Sequence, residues 1–304
     1  MMPSTGGSDD ADRDLPLGGR HAAGSHPSIC TGDAVLLADV GNSRIKLALV
    51  QDHAADGEGT ARRLPSLTRR QNLDSRGFHP ANFEEWLRAT SPGSAVILLG
   101  SVHDAAAARL EATIAELAAT QHRSLRQRRI RPDDLPLHVA VDEPAKVGID
   151  RLAAAAAANM LRQPDHAAVV IDCGTAVTVD LVSAGGVFLG GAILPGATLM
   201  ARGLADGTSK LPHVAALEHS PPPPMPGRST AEAIAAGIGW GFRGAVVRLV
   251  EEARRTAQAE CDVVLTGGWR SAVRDELPGV IEQEDLVLEG LALAARTACS
   301  RLLG

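Results

Sequence analysis

Two short stretches carry residue types suited to phosphate chemistry, and they share one pattern. The first reads Val35-Leu36-Leu37-Ala38-Asp39-Val40-Gly41-Asn42-Ser43-Arg44-Ile45-Lys46, and the second Val169-Val170-Ile171-Asp172-Cys173-Gly174-Thr175-Ala176-Val177-Thr178. In each, an apolar strand runs into Asp, one further residue, Gly and a small polar side chain before a second strand begins. Gly lets backbone N–H groups approach phosphate oxygens with no Cβ in the way, and Asn42, Ser43 and Thr175 add donors. An Asp is a poor phosphate ligand, so Asp39 and Asp172 suit a cation, or a cation's waters, held beside the phosphates. Lys46 adds a mobile positive charge that could follow a transferring group. An ordinary Asp-Gly hairpin turn accounts for either copy alone. Two copies about 130 residues apart instead suggest a duplicated domain with two jaws around one nucleotide.

Between the copies lies Gly148-Ile149-Asp150-Arg151, the most concentrated acid/base element outside the hairpins. If the two side chains converge, Arg151 keeps Asp150 ionised, which makes Asp150 an acceptor for a hydroxyl proton, while Arg151 can fork onto a carboxylate or phosphate. Asp150 can equally be no more than a cap on the helix that follows.

These residues need strands and helices to hold them. Ser94–Val102 reads as a buried strand, Leu137–Val141 as a short one, and Val187–Leu189 as another. Helices are expected around Glu84–Arg88, over Ala105–Ala119, over Leu152–Arg162 with Pro164 ending it, and over Leu286–Leu303. Ser229-Thr230-Ala231-Glu232 has the form of a helix start, continuing with Gly interruptions to about Arg255. Asp262–Thr266 reads as a strand stopping at Gly267-Gly268, where backbone could lie against a purine or ribose or simply turn. Strands alternating with helices mean an α/β fold. Residues 1–33 show no apolar periodicity and read as a disordered tail. Pro221–Pro224 reads as a stiff surface linker.

The chain's 304 residues suffice for two domains, and with three Trp, four Phe and no Tyr the core must be built from Val, Leu, Ile and Ala. A formal charge of −6 speaks against a nucleic-acid surface. The arginines from Arg123 to Arg131, among them Arg126, Arg128 and Arg129, read as a solvated segment between a helix and a strand. Cys30, Cys173, Cys261 and Cys299 have neither zinc-site nor disulfide spacing, and Cys173 reads as a small buried hydrophobe rather than a nucleophile. With no run of eighteen apolar residues and no apolar leader, the expectation is a soluble, cytoplasmic protein without membrane contact.

The ordered set of Asp39–Lys46, Gly148–Arg151, Asp172–Thr178, Gly191-Ala192-Ile193-Leu194-Pro195-Gly196, Gly207-Thr208-Ser209-Lys210-Leu211-Pro212 and Ser229–Ile234 resembles the type III pantothenate kinases, of the actin, sugar kinase and Hsp70 superfamily. The resemblance runs from Ala34 to the C-terminus. It implies two ribonuclease H-like (actin-like ATPase) domains with a nucleotide cleft between them, at 34–162 and 163–304, with the last helix packing back on the first. It implies ATP-dependent phosphorylation of the primary hydroxyl of pantothenate, the first step of coenzyme A synthesis. By the same resemblance, Asp39, Gly41, Asn42, Ser43 and Lys46 hold the ATP phosphates and Mg²⁺, with Thr175 a second phosphate contact. Gly148, Ile149, Asp150 and Arg151 would bind pantothenate with Asp150 as general base, and Asp172 would hold a monovalent cation, K⁺ or NH4⁺. Thr230 matches a pantothenate contact. The family's active form is a homodimer whose substrate pocket draws on the partner, and Thr208 and Lys210 are candidates for that contribution. Two positions depart from the pattern: Val141 stands where a Tyr often lines the pantothenate pocket, and Ser43 where Thr is commoner. The N-terminal tail lies outside the pattern. Other readings are a non-catalytic regulator related to the Bvg accessory factor, or another small-molecule kinase of the superfamily.

Overall fold

The computed structural model describes residues 33–52, 63–91, 93–121, 123–214, 224–295 and 298. The expected tail up to residue 32, Cys30, Cys299, Pro221–Pro223 and the end of the last expected helix lie outside them. The first half holds strands β1 (Ala34–Val40), β2 (Arg44–Asp52) and β3 (Ser66–Asp74), helix α1 (Pro80–Thr90), β4 (Ala95–Ser101), helix α2 (Asp104–Thr120) and β5 (Leu125–Arg129). Then follow β6 (His138–Val139), α3 (Ile149–Leu161), β7 (Ala167–Cys173), β8 (Ala176–Val182), β9 (Val187–Pro195), α4 (Ala197–Asp206) and α5 (Thr230–Ala257). The chain closes with β10 (Cys261–Thr266), α6 (Ser271–Arg274), β11 (Ile281–Glu282) and α7 (Leu286–Leu293).

The two sheets repeat one topology. The first runs β3-β2-β1-β4-β5, and the second runs β9-β8-β7-β10-β11 with β6 added beside β9. In each, the first three strands form an antiparallel meander and the next two lie parallel to the first. The fold is therefore α/β and duplicated. Strand β6 pairs in parallel with β9, so the short strand at residues 137–141 serves the second sheet although it precedes α3.

Strand periodicity sorts the side chains into layers. On β1, Leu36, Ala38 and Val40 join the α1 and α2 core, whereas Val35 and Leu37 face the middle of the molecule. On β7, Ala167, Val169, Ile171 and Cys173 face α5, whereas Ala168 and Val170 face the middle. Alternation then puts Asp39 and Asp172 on the inward faces of their sheets. The middle layer is α3 and α7, where the Ala-rich surface of α3 and Gly290 of α7 allow close approach: a Cβ on Gly290 would sit 1.9 Å from the Ala153 carbonyl oxygen. α7 also packs on β1, β2 and β4, and α3 on β7 and β8.

The Arg-rich segment differs from its expectation. It forms the edge strand β5, and its arginines are tied down: Arg128 Nη2 donates to both oxygens of the buried Asp134 at 2.9 and 3.0 Å, Arg129 pairs with Glu111 and Asp104, and Arg126 with Asp33. The helix expected from Ser229 to about Arg255 forms as α5, and its glycines do not break it, because it buries Ile234, Ile238, Phe242, Val246 and Val250 along one continuous face. By length and composition α5 is long and apolar enough to cross a membrane, and it is the helix that covers the outer face of the second sheet.

Candidate active site

Both glycine turns lie at the carboxyl ends of the first strands of their sheets, the end at which open α/β sheets bind ligands. In the first, the Gly41 amide donates to the Arg44 carbonyl at 3.0 Å and Ser75 Oγ donates to the Gly41 carbonyl at 2.7 Å. In the second, the Gly174 amide donates to the Ala176 carbonyl at 3.1 Å. The two tips touch: Ser43 Oγ lies 2.8 Å from Thr175 Oγ1. Asn42 is exposed beside them.

Beneath the tips sits a cluster of charges. Asp39 is paired in register with Lys46 on β2, whose Nζ lies 3.9 Å from Asp39 Oδ2. Burial pushes the Asp39 carboxyl up to about 7; Lys46 opposes this and the negative charges of Asp150 and Asp172 add to it. Asp172, open in part to the cleft, is raised to about 6, again by desolvation first, with Asp150 and Asp180 adding and Lys46 opposing. Gly267 makes room for it: at φ +92°, a Cβ there would come within 2.5 Å of Asp172 Oδ1 and of the Cys173 backbone. Gly267-Gly268 is thus a close approach to the second turn. Cys173 points away into the α5 core, and burial raises its thiol far above the ordinary value, so it is no nucleophile.

Asp150 enters from the middle layer. Gly148 is the N-cap of α3, and Asp150 stands in the first turn with Oδ1 accepting from the Arg151 amide at 2.8 Å. A Cβ on Gly148 would meet that oxygen at 2.5 Å, which accounts for the glycine two residues before the acid. Ile149 is buried in the central core and anchors the turn. The expected convergence of Asp150 and Arg151 is not found. The Arg151 guanidinium turns instead to Asp180 on β8, and desolvation raises the Asp150 pKa, opposed by the Arg151 amide and charge and by Lys46. Asp180, 1% exposed, is the site residue that sequence reading missed. Its signal was present: on β8 it stands two residues before the inward-facing Val182 and so shares that face.

The remaining candidates lie apart from this cluster. Thr230 opens α5 and lines an apolar cavity of about 620 Å³ with Met200, Leu204, Leu211 and Ile234. Among the described residues, no charged side chain lines that cavity. Thr208 and Lys210 are exposed, and Thr208 Oγ1 donates to the Leu204 carbonyl. Val141 is half-buried against the central core.

The donor set fits cations. Two inward carboxylates whose pKa values are driven up by burial and by the acids around them, with Lys46 as the neighbouring ammonium, describe a site where added positive charge would restore ionisation.

Duplicated α/β halves, with glycine turns facing one another above inward carboxylates, have the fold of the actin-like ATPases and sugar kinases. Comparison with known proteins narrows this. The family model for type III pantothenate kinase matches residues 35–252. The type III pantothenate kinase of Alkalilimnicola ehrlichii is 34% identical over 266 residues, spanning 86% of this chain and 97% of its own length. That of Pseudomonas aeruginosa strain LESB58 is 43% identical over 150 residues, 49% of this chain and 60% of its own length. The chain belongs to the type III pantothenate kinase family. Among solved structures, a conserved Baf family protein from Campylobacter jejuni shares the fold, with a TM-score of 0.50 at 19% identity over 86% of this chain and 98% of that one.

Proposed function

We propose that this chain transfers the γ-phosphoryl group of ATP to the primary hydroxyl of pantothenate, giving 4′-phosphopantothenate for coenzyme A synthesis. The observation that carries the reading is the meeting of Asp39, Lys46, Asp150 and Asp172, from both sheets and the middle layer, under the two glycine turns. Asn42, Ser43 and Thr175 supply donors to the phosphates, and Gly41 lets the chain approach them without a Cβ; the phosphates enter between the tips that Ser43 and Thr175 now close. Asp150 accepts the proton of the attacking hydroxyl; its raised pKa makes it a stronger base than a free carboxylate once ionised. Lys46 stays with the charge as it moves from ATP to the acceptor. Asp39 would hold Mg²⁺ and Asp172 a monovalent cation, K⁺ or NH4⁺. When bound, these ions neutralise phosphate charge.

Gly148, Ile149 and Arg151 form the pantothenate side of the site with Thr230 as a further pantothenate contact, and Thr208 and Lys210 are offered towards a partner subunit. Leu199, Leu204 and Trp240 are large apolar side chains exposed on α4 and α5, which suits a homodimer. The two domains are 34–162 and 163–304, and the expected location is the cytoplasm, without nucleic-acid or membrane partners. The non-catalytic reading is not favoured, since the acids and Lys46 that catalysis needs are all gathered at the cleft.

The test is a coupled assay of ADP release with pantothenate against a panel of small hydroxy acids and sugars, in K⁺ and Mg²⁺. Turnover with pantothenate alone is expected. Turnover with a sugar and none with pantothenate refutes the reading.

A further inference from the structure

Arg151 is held by a residue that the motif around it does not contain. Its Nε lies 3.2 and 3.1 Å from Asp180 Oδ1 and Oδ2, and its Nη2 bonds Asp180 Oδ1. The guanidinium carbon sits 5.7 Å from the centroid of the Phe188 ring, which is itself fully buried on β9. One edge of the guanidinium is thus clamped and one face is covered. The Nη1 corner has no partner among the described residues and remains for a ligand.

The clamp itself is rigid. The Asp180 side chain is 2% exposed and accepts a further hydrogen bond from Thr178. Asp180 pairs in register with Gly191, where a Cβ would lie 2.5 Å from Asp180 Oδ1, so the strand opposite leaves room for the carboxylate and no more. A fork held through two of its nitrogens and on one aromatic face keeps its direction, which a lone arginine on a helix would not. By taking Arg151, Asp180 also keeps the cation from closing onto the neighbouring Asp150.

We propose that Asp180 is a positioning residue for the acceptor substrate: it clamps the Arg151 guanidinium so that the Nη1 corner meets an anionic or carbonyl oxygen of that substrate while Asp150 stays free. This rests on the reading of Arg151 as a pantothenate contact. On this proposal Asp180 acts through Arg151 and not by touching ATP or the transferred group.

The test compares Asp180→Asn, Arg151→Ala and the double variant in steady-state kinetics with each substrate varied. Asp180→Asn is expected to raise the KM for pantothenate about ten- to a hundredfold, the scale of a charge-assisted hydrogen bond, with the KM for ATP unchanged. The double variant is expected to be no worse than Arg151→Ala, because Asp180 acts through Arg151. Full additivity, or equal damage to both substrates' KM values, overturns the proposal. If Arg151→Ala raises the pantothenate KM and Asp180→Asn does not, the positioning role alone fails. If Arg151→Ala leaves that KM unchanged, the reading of Arg151 as a substrate contact fails and takes the proposal with it. Should Asp180→Asn not fold, Asp180→Glu replaces it: the charge stays, the clamp moves by one methylene, and an unchanged pantothenate KM overturns the proposal.

Discussion

Replacing Asp39 by Asn is expected to stabilise the protein while destroying its activity. The Asp39 carboxyl is 8% exposed, and burial raises it to about 7 against the ordinary 3.8, with Asp150 and Asp172 adding to the shift and Lys46 opposing it at 3.9 Å. A carboxyl raised on folding favours the protonated folded state. Its contribution is fully present below the unfolded value and is lost as pH rises through the folded one. Above pH 7 the folded protein therefore carries an ionised group in a place that disfavours it, with a ceiling of about 4 kcal/mol on the penalty. Asn resembles the neutral acid in shape and removes this penalty.

In buffer free of Mg²⁺ and alkali cations at pH 8, Asp39→Asn should melt a few degrees above the wild type, and at pH 5 the gain should shrink to about a third. Adding Mg²⁺ and K⁺ should raise the wild-type melting temperature at pH 8 and narrow the gap, because ions that bind only the folded state stabilise it. Phosphoryl transfer should be lost in the variant throughout. Thermal melts at the two pH values, with and without the ions, decide the matter. A variant less stable than wild type at pH 8, or equally stabilised at both pH values, refutes the electrostatic account.

Asp150→Asn should lower kcat by about a hundredfold or more while ATP binding, followed by calorimetry, stays near wild type; normal turnover would remove Asp150 from the role of base. The wild-type rate should rise with pH through the raised pKa of Asp150, and a rate already at its plateau near pH 4 would contradict that direction. Exchanging K⁺ for Na⁺ should slow the wild type and leave Asp172→Asn insensitive to the exchange, as measured by initial rates; equal sensitivity in both would place the ion elsewhere. Gly290→Ala puts a Cβ 1.9 Å from the Ala153 carbonyl oxygen and must push α7 from α3, costing about 3 kcal/mol in a denaturant titration. A wild-type midpoint would mean that the two helices are not in close contact.

Local pattern carried the sequence a long way. The glycine turns at Gly41 and Gly174, the Ser229 cap whose side chain accepts from the Glu232 amide, and the buried runs of β1, β4 and β7 follow from residue type and spacing over a few positions. Strand alternation even sets the faces, since Asp39, Lys46, Asp172 and Asp180 share the parity of side chains that turn inward. What the spacing cannot express is which distant group arrives beside them. Arg151 follows Asp150 in the chain yet binds Asp180, because a helix's first turn sends adjacent side chains in different directions and β8 offers a carboxylate to one of them. The arginines of β5 look solvated until Asp33, Asp104, Glu111 and Asp134 are brought to them. β6 joins a sheet whose other strands all come later in the chain, and Gly290 acquires its reason only when α7 meets α3. The acid strengths of Asp39 and Asp172 belong to the same class: each is set by burial and by charges from other elements, quantities that exist only once both sheets have closed on the middle helices.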